Sequence, residues 1–429
     1  MKRVSKVFGK LPIVGAFASS IILNPIFSGS AVMMFGSNLA NFFAYLFHLV
    51  IGRILGTEKF AEVSSIISFL GLVSVTYTSL GLAIVKFAST NTNKQNRIFY
   101  YWARNRSIFL GLAFGVVILF LSPLFSNFLR VDVLSVTLTA PIVFFSLIGF
   151  LNRSFLQGLL KFKEQVITLN VELVVRLISA LVLVFLGFSV FGAIGGILIS
   201  VIVGWLATFP FLPKYLRGKK LANFKNQKDI IFYGIPVLIQ AAAMTSFIST
   251  DVILVKHYFA PHSAGLYAAA ANLAKIIFFG TGPVGAVMFP IIARKFARKE
   301  GYKRVLFYSF MITSVIAFGV LAIYFIFPKF AIEILYGNEF VGAAPLIGLF
   351  GLSMSIFTLS GLLGSFFFSI GRTKTVIFLA MSSAMQVVGI LFFHDSLDSV
   401  VKVSVFCAIF LLVAYLSYFI YGVRRNSIL

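Results

Sequence analysis

"PKYLRGKKLANFKNQKD", Pro213–Asp229, is the longest polar run in the chain and falls at the middle of its 429 residues. Apolar stretches flank it on both sides, "LISALVLVFLGFSVFGAIGGILISVIVGWLATFPFL" (Leu177–Leu212) before it and "IIFYGIPVLIQAAAMTSFISTDVILV" (Ile230–Val255) after it. Apolar runs of about 20 residues, the span an α-helix needs to cross a bilayer, recur along the whole sequence. The chain is 60% hydrophobic and only 11% charged, with a mean hydropathy of +1.02. A soluble domain with that balance would expose one continuous apolar patch. The sequence therefore predicts an all-α, polytopic membrane protein.

Twelve spans are expected, near residues 28–52, 62–86, 106–125, 133–155, 165–187, 190–211, 231–256, 265–293, 305–328, 340–369, 375–393 and 400–422. The central basic segment then divides the chain into two six-helix bundles, 28–212 and 231–429, joined by a linker at 213–230. Residues 1–27 read as a cytoplasmic or interfacial segment; their basic start and apolar continuation also have the look of a signal peptide. With the N-terminus inside, the inward loops collect 28 of the 36 Lys and Arg, which argues for both ends inside and an even number of spans. The net charge of +24 is thus topological rather than a nucleic-acid footprint.

A weak internal repeat fits this division. Ile54–Ile84 can be laid over Tyr258–Met288 without a gap, so that Gly81 falls on Gly285, and "KFK" at Lys161–Lys163 corresponds to "RTK" at Arg372–Lys374. Both halves begin inside, which makes them parallel repeats, an architecture that places a central cavity between two bundles. The outward loops are short, leaving no room for the soluble domain a membrane glycosyltransferase or polymerase would carry. No GxxxxGK[ST] phosphate loop is present. The single cysteine, Cys407, excludes an internal disulfide and a cysteine metal site, and no cluster has metal-ligand spacing. The chain is not expected to be an enzyme, and no cofactor is expected.

Charges within spans need a reason, since each costs on the order of 2.5–3.5 kcal/mol at the bilayer centre even on the mildest scale. On the first span Asn38, Asn41, Tyr45 and His48 share one helical face. On the fifth, Glu172 and Arg176 form an i,i+4 pair, either self-neutralising or part of a site. On the seventh, Gln240, Met244, Phe247 and Asp251 share a face; Asp251 either lines a cavity or pairs with Lys256 near the outer end. On the eighth, Asn272 and Lys275 lie together near mid-depth, and Lys275 must meet water, an acid or an anionic ligand. "GTGPVG" follows, where Gly280, Gly282 and Pro283 suggest a kink or a discontinuous helix, by way of either packing or function.

The stretch "IGRILGTEKFAEVSSIISFLGLV" (Ile51–Val73) resembles the opening of the polysaccharide-biosynthesis flippases, O-antigen flippases among them. That family lies in the multidrug/oligosaccharidyl-lipid/polysaccharide exporter superfamily. Arg53, Leu55 and Gly56 in the first outer turn carry the resemblance, with "STD" (Ser249–Asp251), "GLYAAAANLAKI" (Gly265–Ile276) and "SIGRTK" (Ser369–Lys374). One departure is Ala61 after Phe60, where glycine is common in the family. The resemblance implies a transporter of the cell membrane that flips a polyprenyl-diphosphate-linked oligosaccharide between leaflets, driven by H+ or Na+. On that pattern Lys275, Arg176, Asn272 and Arg53 would meet the anionic head group. Asp251, Glu172 and His48 would serve ion coupling, and Asn38, Asn41, Tyr45 and Gln240 would line the cavity. The expected partners are the bilayer and the glycan lipid, with a polysaccharide polymerase as an optional further one; a monomer is expected and no nucleic acid. The alternatives on the same superfamily fold are a cation-coupled multidrug extruder, which would favour an acidic cavity, and a lipid II flippase.

Overall fold

The computed structural model describes residues 25–217 and 227–424. The expected N-terminal segment up to residue 24 and the centre of the basic linker at 218–226 lie outside the described residues. Almost everything described is helix, and no strand occurs among the described residues. The helices in chain order are α1 (Pro25–Thr90), α2 (Asn93–Leu129), α3 (Val133–Thr137), α4 (Thr139–Gly158), α5 (Phe162–Leu183) and α6 (Ser189–Leu206). After the linker come α7 (Gln227–Tyr258), α8 (Pro261–Ala297), α9 (Lys303–Ile326), α10 (Pro328–Tyr336), α11 (Ala344–Ser369), α12 (Val376–Phe392) and α13 (Leu397–Arg424).

Ten stretches among the described residues are long and apolar enough to span a membrane. Two of them are broken internally. Gly56 interrupts α1 with φ 74° and ψ 177°, a backbone open to glycine and costly for other residues. It divides the helix into arms 25–55 and 57–90. Gly187, with φ 94°, sits in the π-turn Val184–Phe188 between α5 and α6. Counting the pieces beside these breaks separately places one helical segment on each of the twelve spans expected from the sequence.

Side chains such as Phe120, Phe185 and Phe392 stand three-quarters or more exposed at 81%, 75% and 76%. In water such a girdle would drive aggregation; in hydrocarbon it costs nothing, so the core need not be sealed from its surroundings. Inside each half, contacts run through small residues that let backbones approach closely. Gly196 on α6 lies against the Ala180 backbone of α5, where an added Cβ would clash. Within the N-terminal half, α1 packs on α4, α5 and α6, and α2 packs on α4; within the C-terminal half, α11 packs on α8, α9 and α13, and α7 packs on α12. The two halves meet where α1 lies along α7 and α8.

The internal repeat has counterparts in the geometry. Gly81 meets Phe150 and Ser154 of α4, and Gly285 approaches Leu362 of α11, the matching helix of the other half. Helices α4 and α11 also end alike. Leu160 and Gly371 take left-handed φ values of 60° and 78°. The next residues, Lys161 and Arg372, each donate a backbone N–H over 2.8 Å to the carbonyl five residues back, Leu156 and Phe367. "KFK" and "RTK" therefore open equivalent turns.

Candidate functional site

Contacts between the halves gather at the Gly56 end. Gly265 near the start of α8 lies so close to the Thr57 carbonyl that no larger residue would fit. Thr57 Oγ1 and His262 Nδ1 are 2.8 Å apart. Phe60 is fully buried between Tyr336 (5.4 Å) and Phe340 (5.8 Å), and Gly52 makes room for the Tyr336 ring. The His257 ring stacks on Phe128 at 4.3 Å and its Nδ1 donates to the Phe128 carbonyl over 2.8 Å. Arg53 belongs to this seal and not to the polar groups deeper in. It is exposed and donates to the carbonyls of Glu333 (3.3 Å) and Ile334 near the C-terminus of α10. A cation is favoured there by the unpaired carbonyls of a helix end.

Deeper along the boundary the charged groups form two clusters. In the N-terminal half Glu172, 6% exposed, accepts from Arg153 Nη1 at 2.6 Å and from Arg176 Nη2 at 3.4 Å. The i,i+4 pair is present, and it is the weaker of the two contacts. Arg153, near the inner end of the expected span 133–155, is 8% exposed on α4, which runs on to Gly158. Gly204 of α6 leaves the space that the Glu172 carboxylate occupies.

In the C-terminal half Asp251 is 3% exposed and its Oδ2 accepts from the Tyr267 hydroxyl at 3.0 Å. Its Oδ1 is buried with no hydrogen bond among the described residues. The alternative pairing with Lys256 is not formed; Lys256 is itself buried at 2%. The face shared by Met244, Phe247 and Asp251 packs into the C-terminal bundle, with Phe247 stacked on Phe357 at 4.2 Å and 4°. Asp251 is therefore held inside that bundle and does not line the boundary directly. Gln240, one end of the stripe, is half-buried.

Lys275 links the clusters. It is half-buried on α8 and makes no hydrogen bond or ion pair within 4.0 Å among the described residues. Its charge acts on Asp251 from the same half and on His48 of α1 from the other. His48, whose Nδ1 is buried without a partner, also feels Arg176. Tyr45 stands edge-on to Phe279 of α8 at 5.9 Å, and Asn272, 8% exposed, lies beside Tyr336. Asn38 and Asn41 are half-buried on the first arm of α1. The structure thus brings Lys275, Asn272, His48, Tyr45 and Arg176 to the α1–α8 boundary and leaves Arg53 outside it.

Of the kink or discontinuity expected at Gly280–Pro283, the discontinuity does not occur: α8 runs unbroken from Pro261 to Ala297 with both Pro283 and Pro290 inside it. Pro283 removes one N–H, and a Cβ added at Gly280 or Gly282 would meet nothing within 4 Å. Tyr336 beside Asn272, Tyr324 bonded to the Leu273 carbonyl and Tyr267 bonded to Asp251 are neighbours that no sequence spacing singled out.

The sequence model of a family described as polysaccharide biosynthesis protein matches residues 26–296. An uncharacterized membrane protein of Methanocaldococcus jannaschii is 26% identical over 275 residues, covering 58% of this chain and 64% of that one. The chain thus spans less than two thirds of that relative's length. The succinoglycan biosynthesis transport protein of Rhizobium meliloti is 21% identical, covering 79% of this chain and 68% of its own. An inward-facing multidrug resistance transporter of the multidrug/oligosaccharidyl-lipid/polysaccharide superfamily aligns with TM-score 0.76 at 15% identity, over 89% of this chain and 94% of that one. A lipid II flippase in an inward closed conformation aligns with TM-score 0.73 at 14% identity, over 89% and 86%. Both likenesses are of fold.

Proposed function

The chain belongs to the polysaccharide biosynthesis protein family, and from that premise we propose that it flips a polyprenyl-diphosphate-linked oligosaccharide across the cytoplasmic membrane. It is a multi-pass membrane transporter of the superfamily fold. The observation that carries the substrate reading is Lys275. A lysine at mid-depth with no ion pair among the described residues is costly unless an anion visits it. Its surroundings lean the same way: Arg153, Arg176 and Lys275 against Glu172 and Asp251 is three cations to two carboxylates. An acidic balance would suit a cationic drug instead.

The mechanism follows from the two halves and their seal. With both termini in the cytoplasm, the Gly56 end is the outer end and is closed here. The diphosphate head group enters between the bundles from the inner leaflet and is drawn to Lys275 and Arg176, while the prenyl tail stays in hydrocarbon. Opening the outer seal as the inner ends close then presents the head group to the outer leaflet. Asp251 is the coupling group. Its unsatisfied Oδ1 takes H+ or Na+, and occupancy changes the field at Lys275, so ion binding and head-group release are linked. Glu172 already has both oxygens engaged by arginines, so its part is to hold Arg176 in place. The glycan lipid and the coupling ion are the proposed partners, and the protein acts as a monomer, with or without a polymerase beside it.

Selective retention tests the reading. The purified protein would be offered an equimolar mixture of a polyprenyl-diphosphate tetrasaccharide and a cationic dye, and bound species identified by native mass spectrometry. Retention of the glycan lipid is expected; retention of the dye alone would overturn the proposal in favour of an extruder.

A further inference from the structure

Helix α12 packs on α7 and α13 packs on α11, and between α12 and α13 lies a groove of about 510 Å³. Phe392 and Phe406, both exposed, stand at its mouth, so it opens toward hydrocarbon. Its floor is closed where Gly389 of α12 lies so near Val403 of α13 that an added Cβ would press on it. Met385 and Cys407 line the inner end. Among the side chains lining the groove only Ser399 and Lys402 carry a hydroxyl or a charge, and both lie toward the α12–α13 turn. In that turn the His394 ring stacks at 4.0 Å on Tyr258 of α7, which sets it at the Gly56 end of the molecule. The groove is thus an apolar slot with a polar rim at head-group depth. Left empty in a bilayer, its walls would forfeit their dispersion contacts on one side, and a hydrocarbon chain restores them.

The rim says which lipid fits. Lys402 is exposed, and its ammonium gives one N–H to Asp398 over 2.6 Å, leaving two for another acceptor. The hydroxyls of Ser396 and Ser399 are 2.9 Å apart, so one proton joins them and the other is left to donate outward. Asp395, exposed in the same turn, makes no ion pair among the described residues. Donors for one anion therefore stand over the slot, with two carboxylates beside a single cation. A head group of negative charge alone meets the donors but is repelled by the carboxylates; one that carries both phosphate and ammonium satisfies both. We infer that the groove binds one zwitterionic phospholipid of the leaflet at the Gly56 end. Its phosphate meets Lys402 and Ser399, its ammonium turns to Asp395 and Asp398, and one acyl chain lies in the slot. Cys407 is five residues deeper than Lys402, a rise of about 7.5 Å, so the chain runs along the helix pair and not across it. The site is separate from Lys275 and does not depend on what the transported head group is.

The test titrates delipidated full-length protein with dioleoyl phosphatidylethanolamine and, separately, dioleoyl phosphatidylglycerol, and reads the first bound lipid by native mass spectrometry. Wild type is expected to bind one phosphatidylethanolamine about fivefold more tightly than phosphatidylglycerol, the advantage of one exposed ion pair. The D395N/D398N variant should bring the two lipids to equal affinity, and K402M should weaken phosphatidylethanolamine. Val388→Trp, at a wall position already exposed to hydrocarbon, should plug the slot and remove binding of both lipids without lowering the melting temperature of the lipid-free protein. Lys275→Ala should leave phosphatidylethanolamine affinity as in wild type, so failure of this site and failure of the diphosphate site are told apart. Equal affinities in wild type, a preference that persists in D395N/D398N, or binding that survives V388W would overturn the site and leave a layer of unselected boundary lipid. Displacement of phosphatidylethanolamine by farnesyl diphosphate would overturn it in favour of the substrate's tail. A dimer present in wild type and lost in V388W would overturn it in favour of a second copy of the chain.

Discussion

Replacing Glu172 by glutamine should destabilise the protein more than any other single isosteric change in it. The carboxylate is the only acid in contact with two guanidinium groups among the described residues, at 2.6 Å from Arg153 and 3.4 Å from Arg176. The side chains of Glu172 and Arg153 are only 8% and 10% exposed. Glutamine preserves the volume and one acceptor oxygen but leaves two cations without a counter-charge. Breaking a buried pair from one side costs about 3–5 kcal/mol. The lower end applies here, because Arg176 is 21% exposed and can turn toward water. A loss of about 3 kcal/mol is therefore expected, read as a lowered melting temperature of the detergent-solubilised protein by fluorescence-detected size exclusion. The R153M/E172M double variant should recover part of it, since it removes the more buried of the two cations left without a counter-charge and leaves only the more exposed Arg176. An E172Q protein that melts with wild type, or a double variant whose loss is the sum of the two singles, would refute the reasoning.

Asp251→Asn should abolish gradient-driven exchange of substrate lipid with expression and membrane insertion unchanged, because it removes the charge and keeps the Tyr267 contact; unchanged exchange would end its coupling role. Lys275→Ala should weaken binding of a diphosphate-headed lipid at least tenfold while a neutral-headed analogue is unaffected, and equal affinity for the diphosphate lipid would contradict that. Gly265→Val should force the outer seal apart at the Thr57 carbonyl. The expected readout is faster labelling by an aqueous maleimide of a cysteine introduced at position 60 in a Cys407→Ser background; labelling at the wild-type rate would show that the seal does not depend on this close approach.

Long apolar runs and the basic midpoint were enough to read the helix order from sequence, because membrane length and loop charge are local properties. Gly56 was legible as a turn for the same reason. The break read as one alternative from the "GTGPVG" run is not there, since whether a proline interrupts a helix depends on its surroundings as well as on local sequence. Arg153 shows the limit of helical spacing: periodicity finds Glu172's neighbour at i+4 but cannot see a stronger partner arriving from α4. Asp251 was set on the right stripe of α7, yet which bundle that stripe faces is decided by Phe247 stacking on Phe357, more than a hundred residues away. Tyr336 sits outside every expected span, and only folding brings it over Phe60 and beside Asn272. The aromatic pair Tyr336 and Phe340 around "GNE" was its one local trace.

The central claim is movement of a lipid-linked head group between leaflets, and one measurement bears on it directly. Wild-type protein would be reconstituted into liposomes carrying a labelled polyprenyl-diphosphate oligosaccharide in both leaflets, and a glycosidase added outside. Without flipping, the inner-leaflet half of the label remains protected. The account predicts that protection is lost in the presence of a pH or Na+ gradient and retained in protein-free liposomes. Full protection of the inner pool under both gradients, across glycans that the protein binds, would contradict it.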